Sequence, residues 1–425
     1  MTKNSSYFKS LGTFDSLKLK DFRLLWLGQL TTSMGQWMDD TSRAWLIYSI
    51  THSPFQLGLV TALRGIPILV FGVIAGVVAD RHGRKAQLII AQDVNAILNV
   101  ILATLIFMGR IQVWHVYITA LLAGTVQAFQ QPARQVLIND LVGEKHLMNG
   151  IALNSAAMNV SRSVGPAVCG VLIHFFGVAV SYYIQAALYA LATLWTIQIK
   201  IPEDTYQSRN RRDLSDQSFF ESTWEGLIYI VSHRLILALM LLGLAPTLVS
   251  MPYIGLMPLF AVDILHGGSA TQGLLLSMIG VGAIVGALIV ASLGRQQGNG
   301  KLLISCAAGF GLSLIFFAHS PVVWTAIVFT FLSGIFNSSY ASQDQTIIQI
   351  LAPEKLRGRI MGIYLLNRGL MPLGSLLAGT LASLFGGPWA VTIMGAFCFL
   401  LAISIAFFVP DMWKSNLATT DNDMY

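Results

Sequence analysis

Charge is scarce in this chain. Only 11% of its 425 residues are Asp, Glu, Lys or Arg, against about 25% in soluble globular domains. With 55% apolar residues, the deficit excludes an ordinary water-soluble domain and predicts a polytopic helical membrane protein. Cysteine is nearly absent. Cys169, Cys306 and Cys398 each stand alone in an apolar run, which excludes a disulfide framework and metal-ligand spacing. The eight histidines are scattered, and none opens an H-E-x-x-H. A membrane enzyme, such as an acyl or phospho-group transferase, would lack a nucleophile or base with an orienting partner. Gly298-Asn299-Gly300-Lys301-Leu302 has neither the spacing nor the hydroxyl of a P-loop, which argues against a nucleotide-driven pump. The net charge of +6 is spread over short loops rather than gathered with aromatics, so nucleic acid is not an expected partner. No cofactor or metal is expected. Met1 to Asp21 is polar and the first apolar run is too long for a signal peptide, so none is expected.

The chain does hold many apolar runs near 20 residues. They predict twelve spans at 22–48, 55–79, 87–108, 113–133, 152–176, 178–199, 235–261, 271–293, 301–318, 322–346, 360–384 and 389–409. An even number places both termini on one side. Lys3, Lys9, Lys18, Lys20, Arg134, Lys145, Lys200, Arg234, Arg295, Lys301, Lys355, Arg357 and Arg359 fall on that side, and the opposite loops offer Arg110. The positive-inside rule therefore predicts that both termini are cytoplasmic.

The longest polar stretch follows the sixth span and contains Arg209-Asn210-Arg211-Arg212-Asp213. It divides the chain into a six-helix half at 1–200, a cytoplasmic linker at 201–234, and a second half with its tail at 235–425. From Phe219 to Ile230 apolar residues recur at helical spacing, which predicts an amphipathic helix on the inner membrane face. The halves resemble each other. Leu141-Val142-Gly143-Glu144-Lys145 recurs as Leu351-Ala352-Pro353-Glu354-Lys355, and Gly170 and Leu172 match Gly379 and Leu381.

Ionisable groups within spans cost about 2.5–3.5 kcal/mol each on insertion scales, so each suggests a role. The first span carries Gln29, Thr32, Ser33, Gln36, Asp39, Asp40 and Arg43, mostly on one stripe facing a water-filled cavity. Asp39 and Arg43 form an i,i+4 pair. Either Asp39 or Asp40 carries a coupling proton, or the pair is a static one near the outer surface; adjacent acids share their titration. Arg64, Arg162 and Arg368, the last beside Asn367, lie within the second, fifth and eleventh spans, and no glutamate lies in any span. Asp93 and Asp344 sit nearer the span ends. An excess of guanidinium favours an anionic or zwitterionic substrate; the alternative is internal pairing, as of Arg64 with Asp39 or Asp40. Gln127, Gln130 and Gln131, and Asn337, Tyr340 and Gln343, bind substrate or hold helices together. Trp37, Trp45, Trp114, Trp195 and Trp389 lie nearer span ends than centres, and interfacial belts account for most of them.

The chain is organised around Gly76-Val77-Val78-Ala79-Asp80-Arg81-His82-Gly83-Arg84-Lys85, a tight basic turn between two apolar runs. Its glycines suit close packing and a backbone reversal, its cations topology, and its acid needs a partner. Gly76, Asp80, Arg81, Gly83, Arg84 and Lys85 match at their spacing the signature loop of the major facilitator superfamily, which this chain resembles. The resemblance implies two parallel six-helix halves, alternating access to a midplane site, and a gating role for the loop. Ser163-Val164-Gly165-Pro166-Ala167-Val168-Cys169-Gly170 resembles the Gly-Pro-x-x-x-Gly antiporter motif in part, with Gly165, Pro166 and Gly170 predicting a kinked, closely packed helix. Phe22 to Gln29, Ser53-Pro54, Gln131-Pro132-Ala133-Arg134 and Leu356 to Gly362 look like the exporter branch that includes enterobactin and macrolide efflux proteins. That resemblance implies proton-driven export of a drug or a secreted metabolite such as a siderophore; a monomer in the bacterial inner membrane is expected. The chain departs from the branch at Arg64 and Asp39-Asp40, which leaves the substrate open. An importer or a lipid or lysophospholipid flippase of the same fold is the alternative.

Overall fold

A computed structural model describes residues 12, 14–81, 83–200, 219–293, 299–354 and 356–413. The regular structure among them is helical, in the order α1 (Lys20–Thr51), α2 (Pro54–Arg81), α3 (Arg84–Phe107), α4 (113–142), α5 (144–176) and α6 (178–198). The second series is α7 (Phe219–Ser232), α8 (Arg234–Ile264), α9 (Ser269–Ser292), α10 (Gly300–Ala318), α11 (Val323–Leu351), α12 (Arg357–Gly369 and Met371–Phe385) and α13 (Gly387–Phe408). Residues 113–198 run nearly unbroken, and the chain reverses only at Gly143 (φ 64°) and Gly177 (φ 83°), positions that disfavour a side chain. Seven described stretches are long and apolar enough to cross a membrane; one of them, Lys145–Gln198, holds both α5 and α6. The polar stripes of α1, α4 and α11 and the break in α12 keep those four below the threshold, and together the spans number twelve.

Each expected span is present, with α4, α5 and α11 longer than hydropathy suggested because their polar ends continue as helix. The amphipathic helix is also present. On α7, Trp224, Leu227, Ile228 and Val231 are exposed, while Gly226 packs on Arg359 and Ile363 of α12 and Glu225 pairs with Arg359. The segment 201–218, with the Arg209–Asp213 cluster, lies outside the described residues.

The bundle has a terminal end, where Lys200 N–H meets Asp21 Oδ1 at 2.9 Å, and a far end, where α1 turns into α2 and α5 into α6. In hydrocarbon, helices associate through close packing and hydrogen bonds rather than through apolar burial. At the far end the halves meet on two glycine pairs. A Cβ on Gly58 of α2 would lie 3.1 Å from Gly379 Cα of α12, and one on Gly170 of α5 would lie 3.0 Å from Gly273 Cα of α9. Ser269 Oγ donates to the Gly170 carbonyl at 3.1 Å, Gln272 Nε2 to the Thr41 carbonyl at 3.2 Å, and Tyr48 O–H to Asp263. One apolar core spans this seam, joining Leu46, Tyr48 and Leu57 to Tyr253, Phe260 and Phe317. Towards the terminal end the cores separate: Phe22, Leu25, Leu137 and Leu153 belong to the first half, and Leu239, Leu303, Ile347 and Ile348 to the second.

Candidate substrate cavity between the two halves

The divided seam leaves a cavity of about 420 Å³ between the halves, within the range of small-molecule sites. Its two walls differ chemically. The first half supplies Gln36, Trp37, Asp40, Thr41, Arg43, Arg64, Gln127 and Arg162. The second supplies mostly apolar groups, Met251, Pro252, Ile254, Leu276, Ile279, Met371 and Pro372, with Gln272 and Ser375 as its polar contribution. Helical spacing explains the first wall, since residues 36, 37, 40, 41 and 44 follow one another up a single face of α1.

Asp39 and Asp40 point in different directions. Asp39 is 4% exposed and held from two sides. Arg43 reaches it at 2.9 and 3.2 Å, and Arg64 at 2.5 Å. Arg43 is anchored further by Thr119 Oγ1 at 2.8 Å and the Val116 carbonyl at 3.2 Å. Asp40 shares Arg64 at 2.6 Å, but its side chain is 41% exposed and opens on the cavity. Two acids and two arginines thus form one charge-balanced network whose accessible member is Asp40. Internal pairing, the alternative to anion binding, holds for Arg64. The Arg162 guanidinium lies 5.6 Å from the Trp37 ring centre, within cation–π range. Trp37 is therefore a cavity residue rather than a belt residue. The signal was available: it lies one turn before Asp40 on the same face.

Gln36, Asp40, Arg43, Arg64, Gln127 and Arg162 are gathered on the cavity, with Asp39 behind them. Asn337, Tyr340 and Asn367 are not among its lining residues; Tyr340 is 3% exposed within the second half's own core. The side chain of Arg368 lies outside the described residues, as do those of Asp80 and Arg81. Thr41, Gln272 and Ser375 join the site without having been expected, because single hydroxyls and amides in apolar runs carry little signal. Pro166 lines the cavity while its backbone stays helical; the breaks in that run fall at Gly143 and Gly177. Gly165 packs against Trp37 and Gly170 forms the far-end seam, so that motif serves contact between helices.

The signature turn needs one correction. Gly83 has φ −61° and ψ 105°, open to any residue, so the reversal does not require glycine there. Arg84 pairs with Asp140 of α4, and Lys85 Nζ donates to the carbonyls of Ile197 at 2.7 Å and Ile199 at 2.8 Å. These residues tie α3 to α4 and α6 within the first half.

A twelve-helix bundle with a cavity between its halves, charged on one wall and apolar on the other, fits a membrane transporter. The pattern of the transmembrane secretion effector family of the major facilitator superfamily matches residues 11–424, and the chain belongs to that family. It is a transporter and not an enzyme. It is 26% identical to the staphyloferrin A transporter of Staphylococcus aureus over 85% of this chain and 89% of that one. It is 27% identical to the enterobactin exporter EntS of Citrobacter koseri over 75% and 74%, and 24% identical to macrolide efflux protein A of Streptococcus pyogenes over 88% and 92%. Among solved structures, the nucleoside transporter NupG shares the fold with a TM-score of 0.72 at 14% identity, over 92% of this chain and all of that one.

Proposed function

We propose that this protein exports a small zwitterionic molecule, of the siderophore or drug class, in exchange for protons by alternating access. The observation carrying the proposal is the cavity itself: Asp40 opens on it while Arg64 ties Asp40 to the buried Asp39. A proton and a cationic group of the substrate compete for Asp40. Competition for one carboxylate is what antiport needs, because each ligand then displaces the other. A substrate carboxylate has Arg162 on the same wall, where a guanidinium suits bidentate pairing. One inward proton at a driving force of ~180 mV supplies about 4 kcal/mol, enough for a roughly thousandfold gradient.

The working units are 1–200 and 235–425, with 201–234 as the linker between them. In this reading both termini lie on the cytoplasmic side of a bacterial inner membrane; the excess of lysine and arginine in the loops of that side supports it. The conformation described is then closed outwards. The signature loop secures the cytoplasmic side in the opposite state, and a single chain suffices because the cavity draws both walls from one molecule.

The test uses inverted vesicles energised to be acidic inside, with a pH-sensitive dye. Carboxylate siderophores, cationic drugs and compounds bearing both groups are added in turn. Proton release with the last class, abolished by Asp40→Asn and weakened at least tenfold in apparent affinity by Arg162→Gln, is the expected result. Release with cationic drugs alone removes the carboxylate site. No release with any compound, in protein shown to be folded, favours an importer or a flippase.

A further inference from the structure

The second half contains a buried acid that the cavity does not use. Asp344 of α11 is 0% exposed, and neither carboxyl oxygen has a partner in good hydrogen-bond geometry. Tyrosines are its polar neighbours, Tyr340 one turn earlier on α11 and Tyr364 on α12. On α8, Gly243 closes the remaining side, since a Cβ there would stand 2.9 Å from Asp344 Oδ2. Among the described side chains no cation pairs with this carboxyl. The next titratable neighbour is Cys398 of α13, beside Tyr340; the side chain of Arg368, one turn past Tyr364, lies outside the described residues. Asp39, by contrast, has two arginines.

An ionised carboxylate in this setting is an uncompensated charge among the side chains of Leu239, Leu242, Ile347 and Ile348. Removing an ion from water is strongly unfavourable unless a counter-charge offsets it. The neutral acid has one O–H to donate and an oxygen left to accept, which suits a site walled by two hydroxyls and a glycine.

A second observation gives the site a consequence. Both helices that press on Asp344 lose regular helical structure shortly past the contact. The regular part of α8 ends at Ala245 and continues through a π-helical turn, Pro246–Ser250, and a 3-10 segment, Met251–Leu256. The regular part of α12 ends at Gly369 and resumes at Met371. The residues just beyond, Met251, Pro252, Met371 and Pro372, line the cavity. Asp344 therefore lies at the root of the two interrupted helices that, beside α9, make the second cavity wall.

We propose that Asp344 is a second proton-binding site. It holds its proton in the far-closed conformation and releases it to water when α8 and α12 separate around Gly243 and Tyr364. In that step the carboxyl O–H bond breaks, the proton leaves to water, and the carboxylate accepts hydrogen bonds from the two tyrosines. The role in transport rests on the proton-exchange reading above; the protonated carboxyl does not.

Infrared difference spectra between acid and alkaline buffer, recorded on purified protein in lipid, test this without any substrate. The wild type is expected to show a protonated-carboxyl C=O band that is lost in Asp344→Asn and kept in Asp40→Asn. A band that survives Asp344→Asn overturns the proposal. Should Asp344→Asn fail to fold, Tyr364→Phe keeps the acid and removes one partner, so the band must shift; an unmoved band also overturns it. Spin labels on His233→Cys, the residue capping the start of α8, and on Gly358→Cys of α12 provide the conformational readout. Their separation is expected to change with pH in the wild type and to be fixed in Asp344→Asn; the same pH response in both contradicts the proposal. If the Asp344 band behaves as expected while the vesicles release no protons with any compound, the export reading fails and the site stands.

Discussion

At the far end of the bundle, Leu46, Tyr48 and Leu57 share one core with Tyr253, Phe260 and Phe317 across the seam. At the terminal end each half keeps its own, around Leu25 and Leu137 in the first and Ile347 and Ile348 in the second. The contrast shows which contacts hold a half together and which hold only a conformation. The terminal cores are internal to each half and need not change as the halves move. The far seam rests on two glycine pairs and a few hydrogen bonds. Hydrogen bonds between membrane helices contribute about 0.6 kcal/mol each on average, so three sum to about 2 kcal/mol. One proton at ~180 mV delivers about 4 kcal/mol. Under the proton exchange proposed above, the polar part of the seam is weak enough for one such ion to reopen.

The comparison breaks first at the charge network. Asp39→Asn leaves Arg43 and Arg64 buried without their shared carboxylate, and breaking such a group costs about 3–5 kcal/mol. Thermal unfolding in detergent is expected to fall steeply and transport to be lost; an unchanged midpoint would show that the network is not a unit. Ile348→Ala, within the terminal core of the second half, is expected to cost about 2–5 kcal/mol. It lowers the unfolding midpoint without altering the side on which the cavity opens. Gly170→Leu acts in the opposite manner. Its side chain overlaps Gly273 and the Ser269 carbonyl, at a cost of about 1–3 kcal/mol charged to the far-closed state. Spin-label distances across the far end should lengthen while each half stays folded. The smallest change is Tyr48→Phe, which deletes the hydrogen bond to Asp263. A hydrogen bond between membrane helices contributes about 0.6 kcal/mol on average. The conformational equilibrium should move towards the far-open state by roughly threefold, read from the same labels.

Much of the fold was legible because the bilayer imposes it. A run of about 20 apolar residues has few alternatives to a spanning helix, and the turns at 52–53 and 177 fell where hydropathy faltered. The charged part of the site was legible for the same reason, since Asp39, Asp40, Arg43, Arg64 and Arg162 stand out against their apolar neighbours. What stayed hidden depends on contact between distant helices. Trp37 resembles any other tryptophan until the face it shares with Asp40 is seen to border a cavity. Tyr48 and Asp263 are separated by the whole linker. Tyr340 and Asn337 lie on a helix that qualifies for the cavity by polarity, yet α11 turns Tyr340 into its own half's core. The irregularity of α8 was signalled by Pro246, Pro252 and Pro258, spaced six apart, but neither the π turn nor the 3-10 segment follows from proline alone.

The most direct test of alternating access through this cavity is the sidedness of a thiol in it. Thr61→Cys, in a background where Cys169, Cys306 and Cys398 are replaced by alanine, would be labelled with a membrane-impermeant maleimide in right-side-out and inverted vesicles. Thr61 lines the cavity on the first half's wall. The account predicts strong labelling from the terminal side and little from the far side, with Gly170→Leu reversing that preference. Equal labelling from both sides, or an unchanged preference in Gly170→Leu, would contradict it.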